Sequence, residues 1–425
     1  MNKLLEKIKQ VFRNKEIRKK IVFSLIIMVV YRLLGSIPVA GIPADAIKKL
    51  FEGTSMGDVL STISGGVLET ASLVAIGLTP YINASIIFQL LGTVIPALDE
   101  TRKEGPEGRR KISMYTRLAT VPLAILQSFV IYSTLLGFGF ITKLEPLQLA
   151  TLVASLTAGS VVMMWFGELV SEDGLGGGTS YLIMLGILAG IPGTIRSNLL
   201  MATPKEKGIF VFVSLILLLL VVIITTAERR IKVQYSRRVR AGGALESFIP
   251  IKLTQSGVMP VIFATAFLSF PEMIGKFIIS KNFNEGLTTW VQNFMNVWGN
   301  QMFRDVLTFV LVMVFSFFYL SVVFNTDELA ENLQKQGAFI QGIRPGENTS
   351  KYLRKVSLRL AAVGALVLSF LAIAPTELPR LFDLFGIKVP VVFSGTGLLI
   401  MVGVLLDIKN QINSMITTRS YDRYL

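Results

Sequence analysis

The 425-residue chain is 52% hydrophobic and 16% charged, and it has no cysteine and no histidine. Those absences exclude disulfides, thiol and imidazole catalysis, and the usual zinc sites. In so apolar a chain the formal charge of +14 is topology information first and ligand information second.

The first predicted element covers residues 1–20, basic and amphipathic, with Leu4, Leu5, Ile8, Val11 and Phe12 on one side. It lacks the small-residue cleavage pattern of a signal peptide and reads as a helix lying on a cytoplasmic surface of anionic lipid. Ten apolar blocks follow, at about 20–38, 72–95, 115–138, 147–170, 180–202, 208–227, 258–279, 303–324, 356–374 and 389–407. Each is long enough to cross a hydrocarbon core of about 30 Å as a helix. Backbone groups there must pair within the segment, and the alternation of a β-barrel is absent. Ten spans put both termini on one side of the membrane. That side carries 30 of the 42 Lys and Arg residues, so it is cytoplasmic.

Between the first two spans, the stretch 41–71 contains a piece too short and polar to cross, broken by Gly65-Gly66. Non-helical backbone at membrane depth is tolerated only inside protein or beside water, so this piece reads as a short re-entrant helix. The link between spans four and five has no Lys or Arg, and its run Gly174-Leu175-Gly176-Gly177-Gly178 reads as a tight turn. Spans two and seven share a pattern. Gly77, Pro80, Ile82 and Ala84 match Gly257, Pro260, Ile262 and Ala264 at an offset of 180 residues. Five spans separate the copies, an odd number, which makes this an inverted-topology repeat.

Three constellations stand out. The interior lacks the buried charges that ion-coupled transporters need, and an aspartate pair for intramembrane hydrolysis is missing as well. It offers only mild polarity: Thr79, Asn83, Ser85 and Gln89 on span two, Gln127 and Ser128 on span three, Thr265 on span seven. These side chains suit ordinary helix packing, or a seam that opens because each contact is worth only about 1 kcal/mol. Isoleucines recur at four-residue spacing, Ile82 with Ile86 and Ile183 with Ile187, with Ile262 as repeat partner of Ile82 and Ile400 near mid-depth on span ten. They fit plain core or lipid-facing positions, or a dewetting constriction. The cytoplasmic loops 228–257 and 325–355 are basic. The first contains Arg229, Arg230, Lys232, Arg237, Arg238 and Arg240, and its alternation IKVQYSRR predicts a β-hairpin. In the second, Gly342, Pro345 and Gly346 predict a turn with Arg344 at its tip. Such loops set topology, or dock a large acidic partner. A nucleotide-binding P-loop is absent.

Longer runs carry a resemblance over nearly the whole chain: GLTPYINASIIFQLL, EGPEGRRKISMYTRLAT, GGGTSYLIMLGILAGIP, LTQSGVMPVIFATAFLSFP, FNTDELAENLQKQGAFIQGIRPGENTSKYLRKV and FSGTGLLIMVGVLLD. In this order they resemble the SecY/Sec61-alpha family, the pore subunits of Sec protein-translocation channels; Gly177, where the family often has Asn, is a small departure. The resemblance implies an all-α polytopic membrane protein, with ten transmembrane helices in two inverted five-helix halves around a central pore. The halves would be 21–202 and 203–407, with a cytoplasmic tail at 408–425. It implies a pore ring of Ile82, Ile86, Ile183, Ile187, Ile262 and Ile400. A plug at about 58–68 would include Leu60, Ser61, Thr62, Ile63, Ser64, Gly65 and Gly66. A lateral gate would run between spans two and three and spans seven and eight, with Thr79, Asn83, Gln89, Gln127 and Thr265 along it. Arg229, Arg230, Arg237, Arg238, Arg240 and Arg344 would dock the ribosome or the motor ATPase SecA. The implied function is a passive, non-enzymatic conduit in the bacterial cytoplasmic (inner) membrane, without cofactor or metal. It would work with SecE, SecG, signal sequences, nascent polypeptides and membrane lipids, and with SecDF and YidC as further candidates.

Overall fold

Caps and prolines, not the edges of the apolar blocks, set where the helices begin. The computed structural model describes residues 14–39, 72–137, 141–200, 203–235, 247–281, 285–383 and 395–422. Most of the expected surface helix at 1–20 and all of the re-entrant piece at 41–71 lie outside the described residues. Helix α1 (Lys15–Ser36) starts where the Asn14 side chain accepts the Glu16 N–H at 3.1 Å. A side-chain cap of this kind is worth about 1 kcal/mol. It carries the helix five residues beyond the apolar block, through Lys15, Arg18, Lys19 and Lys20. Helices α2 (Thr79–Val94), α3 (Pro96–Lys103), α4 (Pro106–Gly137), α5 (Pro146–Asp173) and α7 (Pro204–Thr226) each have proline in the first turn, where its missing N–H costs nothing. Between α5 and α7 lies α6 (Gly178–Leu200).

The remaining elements are β1 (Glu228–Tyr235), β2 (Ser247–Lys252), α8 (Met259–Lys281), α9 (Glu285–Trp298), α10 (Gln301–Val323), α11 (Thr326–Lys335), β3 (Ala338–Ile340), α12 (Glu347–Asp383) and α13 (Gly395–Asp422). All ten expected spans fall largely on helices. Six of the described helices are long and apolar enough to cross a membrane by length and composition. The chain is a multi-pass membrane protein. The outer surface of α7 shows what such a helix faces: Phe212, Leu215, Leu219 and Ile223 are all exposed, as lipid-facing side chains are.

The chain forms two compact units. The first comprises Met1–Thr203, Ala266–Asn300 and Pro390–Leu425; the second comprises Pro204–Thr265 and Gln301–Val389. In the first, α2 packs on α4, α4 on α5, α5 on α6, and α6 on α13. The expected turn after α5 is present. The Leu175 N–H donates to Ser24 Oγ at 3.0 Å, the Tyr181 hydroxyl donates to the Ser24 carbonyl at 3.1 Å, and the Gly176 N–H donates to Gln411 Oε1. One buried serine on α1 and one glutamine on α13 thus hold the link between α5 and α6.

In the second unit α10 and α7 pack on α12, and a small sheet stands at one end. The predicted hairpin is there: β1 pairs antiparallel with β2, with Ile231 opposite Ile249. That the other basic loop supplies a third strand was not legible beforehand. Strand β3 pairs with β1, placing Val233 opposite Ile340, so the order is β2-β1-β3. Ile231, Val233, Ile251, Leu333, Ile340 and Leu353 form its buried core with α11 and the start of α12. Three strands against a helix make a self-supporting head, which a two-stranded hairpin alone is not.

The repeat survives as local geometry. Gly77 and Gly257 both have φ 59°, a left-handed conformation that a side chain makes costly. Their N–H groups donate back to the Val74 and Thr254 carbonyls at 2.9 and 3.0 Å. Each helix then opens two residues later with a proline second. The copies share one more feature. A Cβ at Gly159 on α5 would lie 1.9 Å from the Leu73 carbonyl oxygen, and one at Gly364 on α12 would lie 2.3 Å from that of Leu253. Leu73 and Leu253 are again 180 residues apart, so each turn rests in a glycine notch.

Candidate functional site

Helix α2 carries three of the expected site residues in one turn. Ile82 and Ile86 share a face, with Ile86 buried and Ile82 half-buried. Between them Asn83 is 3% exposed, and its Nδ2 has no hydrogen-bond partner among the described residues. It faces an apolar cavity of about 440 Å³ inside the first unit. Ile86 and Leu90 line it from α2, Phe267 and Ile274 from α8, and Trp290 and Phe294 from α9. A buried amide without a partner costs about 1–3 kcal/mol, so this wall of α2 is apolar and under-satisfied.

The other expected gate residues are satisfied locally or lie elsewhere. Gln89 donates to Ser85 Oγ at 3.2 Å, within the same helix. Thr265 donates to the Ile262 carbonyl at 2.9 Å and belongs to the second unit. Thr79 is exposed at the start of α2, and Gln127 is buried on α4. Of the isoleucines, Ile183 and Ile187 are half-buried on α6, and Ile400 is buried on α13, the helix that packs on α6. Ile262 is buried at the start of α8, in the second unit. The expected plug residues Leu60 to Gly66 lie outside the described residues.

Two features escaped the sequence. Arg117 on α4 pairs with Glu168 on α5 at 2.6 Å. The partners are far apart in the chain and share no spacing, so nothing in the one-dimensional pattern couples them. The second is α9, whose Trp290, Phe294 and Trp298 stack in succession at 5.9 and 5.3 Å. Its spacing of four was legible, but the helix lies between expected spans seven and eight, in a stretch to which the sequence reading assigned no element.

The basic head is built from both of the basic loops, 228–257 and 325–355. Arg229 and Arg230 on β1 are exposed, and Arg230 Nε donates to Glu228 at 2.8 Å. Arg237, Arg238 and Arg240 lie outside the described residues. Arg344 is exposed in the predicted turn, between Gly342 at φ 80° and Gly346 at φ 95°. The Thr349 hydroxyl donates to the Arg344 carbonyl at 3.0 Å, and Ser350 donates to Asp327 Oδ1. The tip is therefore tied to the first turns of α11 and α12. Lys351, 2.7 Å from Glu347, holds that exposed carboxyl below its ordinary range. Among the described residues no cluster of three metal-ligating side chains occurs.

Comparison with known proteins gives one answer. A family model described as SecY matches residues 72–409. The protein translocase subunit SecY of Streptomyces galbus is 36% identical over 435 aligned residues, covering 97% of this chain and 98% of that one. Among solved structures, a protein-conducting channel superposes with a TM-score of 0.66 at 20% identity, over 93% of this chain and 92% of the other. Sec61 from a canine ribosome-channel complex of the endoplasmic reticulum gives 0.62 at 18% identity, over 93% and 92%. An α-helical membrane chain that carries the repeat turn twice, and aligns end to end with these relatives, belongs to the SecY family.

Proposed function

We propose that this chain is the pore subunit of a protein-conducting channel, passing unfolded secretory polypeptides across a bacterial cytoplasmic membrane and releasing transmembrane segments sideways into lipid. The observation that carries the reading is the near full-length similarity to a protein named as a translocase subunit. Physical features support it. The expected ring positions are all isoleucine, and three of them, Ile86, Ile262 and Ile400, are buried, as a water-excluding constriction requires. Asn83 at an apolar cavity suits a seam that is held weakly and opens. In this reading residues 58–68 act as the plug. Arg230 and Arg344, with Arg237, Arg238 and Arg240, face a ribosome or SecA. SecE and SecG complete the channel, and the energy comes from those partners, since this chain is a conduit and not an enzyme.

Reconstitution tests it. The chain, with SecE and SecG from the same source, is placed in vesicles, and SecA, ATP and an unfolded secretory substrate are added outside. The expected result is substrate that becomes resistant to added protease only when ATP is present. Substrate that stays fully digestible, while a known translocase protects it under the same conditions, would end the proposal.

A further inference from the structure

A second cavity, of about 430 Å³, lies in the second unit where α7 runs out into β1 beside α12. Its rim holds three cations: Arg229 from β1, and Lys355 and Arg359 from α12. Tyr352 stands beside them, and Leu360 and Val363 form the far wall. The α12 residues recur at three- and four-residue spacing, so they form one stripe along a single helix face. No carboxylate lines the cavity, and no ion pair is formed by any of the three cations among the described residues. Like charges converging without a counter-ion are a cost that a bound anion removes.

The strand explains why Arg229 is there. Side chains alternate across β1, so Arg229 shares the face of Ile231 and Val233, which packs toward α12. Glu228 and Arg230 point the other way and pair with each other. Arg229 therefore belongs to the cavity, and Arg230 to the outer face of the head.

The depth of the site identifies the class of anion. Along α12, Arg359 stands about 6 Å and Lys355 about 12 Å above Val363, at 1.5 Å per residue. From Leu358 onward the helix exposes large apolar side chains, among them Val363, Leu366 and Phe370. A single stripe thus passes from cationic to lipid-exposed within three turns. A phosphate at the rim with an acyl chain running down Leu360 and Val363 matches both ends, whereas an RNA phosphate uses only the rim. We propose that this cavity binds an anionic phospholipid of the cytoplasmic leaflet, headgroup phosphate on Arg229, Lys355 and Arg359 and acyl chain along α12.

Native mass spectrometry of the full chain with its partners tests this. The protein is released from bilayer discs containing equal amounts of phosphatidylglycerol and phosphatidylethanolamine, and retained lipids are counted. A basic side chain near an anionic surface is worth about fivefold in affinity. The variant R229Q/K355Q/R359Q is therefore expected to lose retained phosphatidylglycerol at least about tenfold, with phosphatidylethanolamine unchanged. The charge-conserving variant R229K/K355R/R359K should keep most of it, and K355Q alone should lose about fivefold if the triple variant does not assemble. Equal retention of phosphatidylglycerol in wild type and glutamine variants would overturn the assignment. So would loss of ribosomal RNA binding in those variants with lipid retention intact, which would make the rim a nucleic-acid surface.

Discussion

The glycine notch beneath each repeat turn makes a quantitative prediction. In Gly159→Ala the new Cβ would stand 1.9 Å from the Leu73 carbonyl oxygen, where an ordinary carbon–oxygen contact is about 3.3 Å. The turn must retreat by about 1.4 Å, and the obstacle is backbone, which cannot swing aside as a side chain can. Overpacking of this kind costs about 1–3 kcal/mol. The neighbouring Ser160 hydroxyl donates to the Gly77 carbonyl at 3.0 Å, and the retreat would stretch that bond, worth about 1 kcal/mol. Alanine returns about 0.5–1 kcal/mol of helix propensity. The net expectation is a loss of about 1–3 kcal/mol. Gly364→Ala meets the Leu253 oxygen at 2.3 Å and needs a retreat of about 1.0 Å, so it should lose less. Gly92→Ala on α2 meets nothing within 4 Å and should be neutral or stabilising. Melting of the helical circular-dichroism signal in one detergent at one scan rate ranks the three. A Gly159→Ala protein that melts with or above Gly92→Ala would refute the notch argument.

Three further outcomes are expected. Replacing Ile86, Ile187 and Ile400 together by Gly should make the resting channel conduct ions in planar bilayers, and a silent bilayer would argue that these side chains do not form the seal. Arg344→Glu should abolish SecA-driven protease protection while the protein still assembles, since the exposed turn it occupies is held through the Arg344 backbone carbonyl and not its side chain; normal protection would remove the docking role. Asn83→Leu should raise the melting temperature, because it replaces an unpartnered amide in an apolar cavity at a gain of about 1–3 kcal/mol; a lower melting temperature would show that the amide is satisfied in the membrane.

Much of the fold was legible because the bilayer imposes a one-dimensional rule. Twenty apolar residues mean a helix wherever they occur, so all ten blocks could be placed. The ends could not, since Asn14 or Pro106 sets them through local hydrogen bonding that hydropathy does not register. The turn at Gly77 and Gly257 was visible because one backbone conformation demands glycine in both copies. By contrast, β3 is a three-residue strand that owes its existence to β1, about a hundred residues away. The Arg117–Glu168 pair has the same character: each residue alone looks like a span-end charge, and only the packing of α4 on α5 makes them partners. The isoleucines are the intermediate case. Their four-residue spacing was plain, but spacing alone does not separate a pore-lining face from a lipid-facing one.

The basic residues of the head serve more than topology, and β1 shows how the uses separate. Period-two alternation sends Arg230 to the outer face of the head and Arg229 inward toward α12, although the two are adjacent in sequence and alike in chemistry. Positive-inside bias would be met equally by either orientation, since it counts charges and not directions. It therefore cannot explain why Arg229 meets Lys355 and Arg359 without a carboxylate, nor why Glu228 accompanies Arg230 on the other face. A docking role for the whole basic loop does not by itself account for three cations converging above exposed Val363 without a carboxylate. The two faces of one strand are better read as addressed to two partners, a soluble one above the head and the lipid surface below it. Charge reversal at Arg230 should then weaken partner docking and leave lipid retention alone, while reversal at Arg229 should do the opposite. A protein in which both reversals had the same effect would show that the strand does not sort its charges by face.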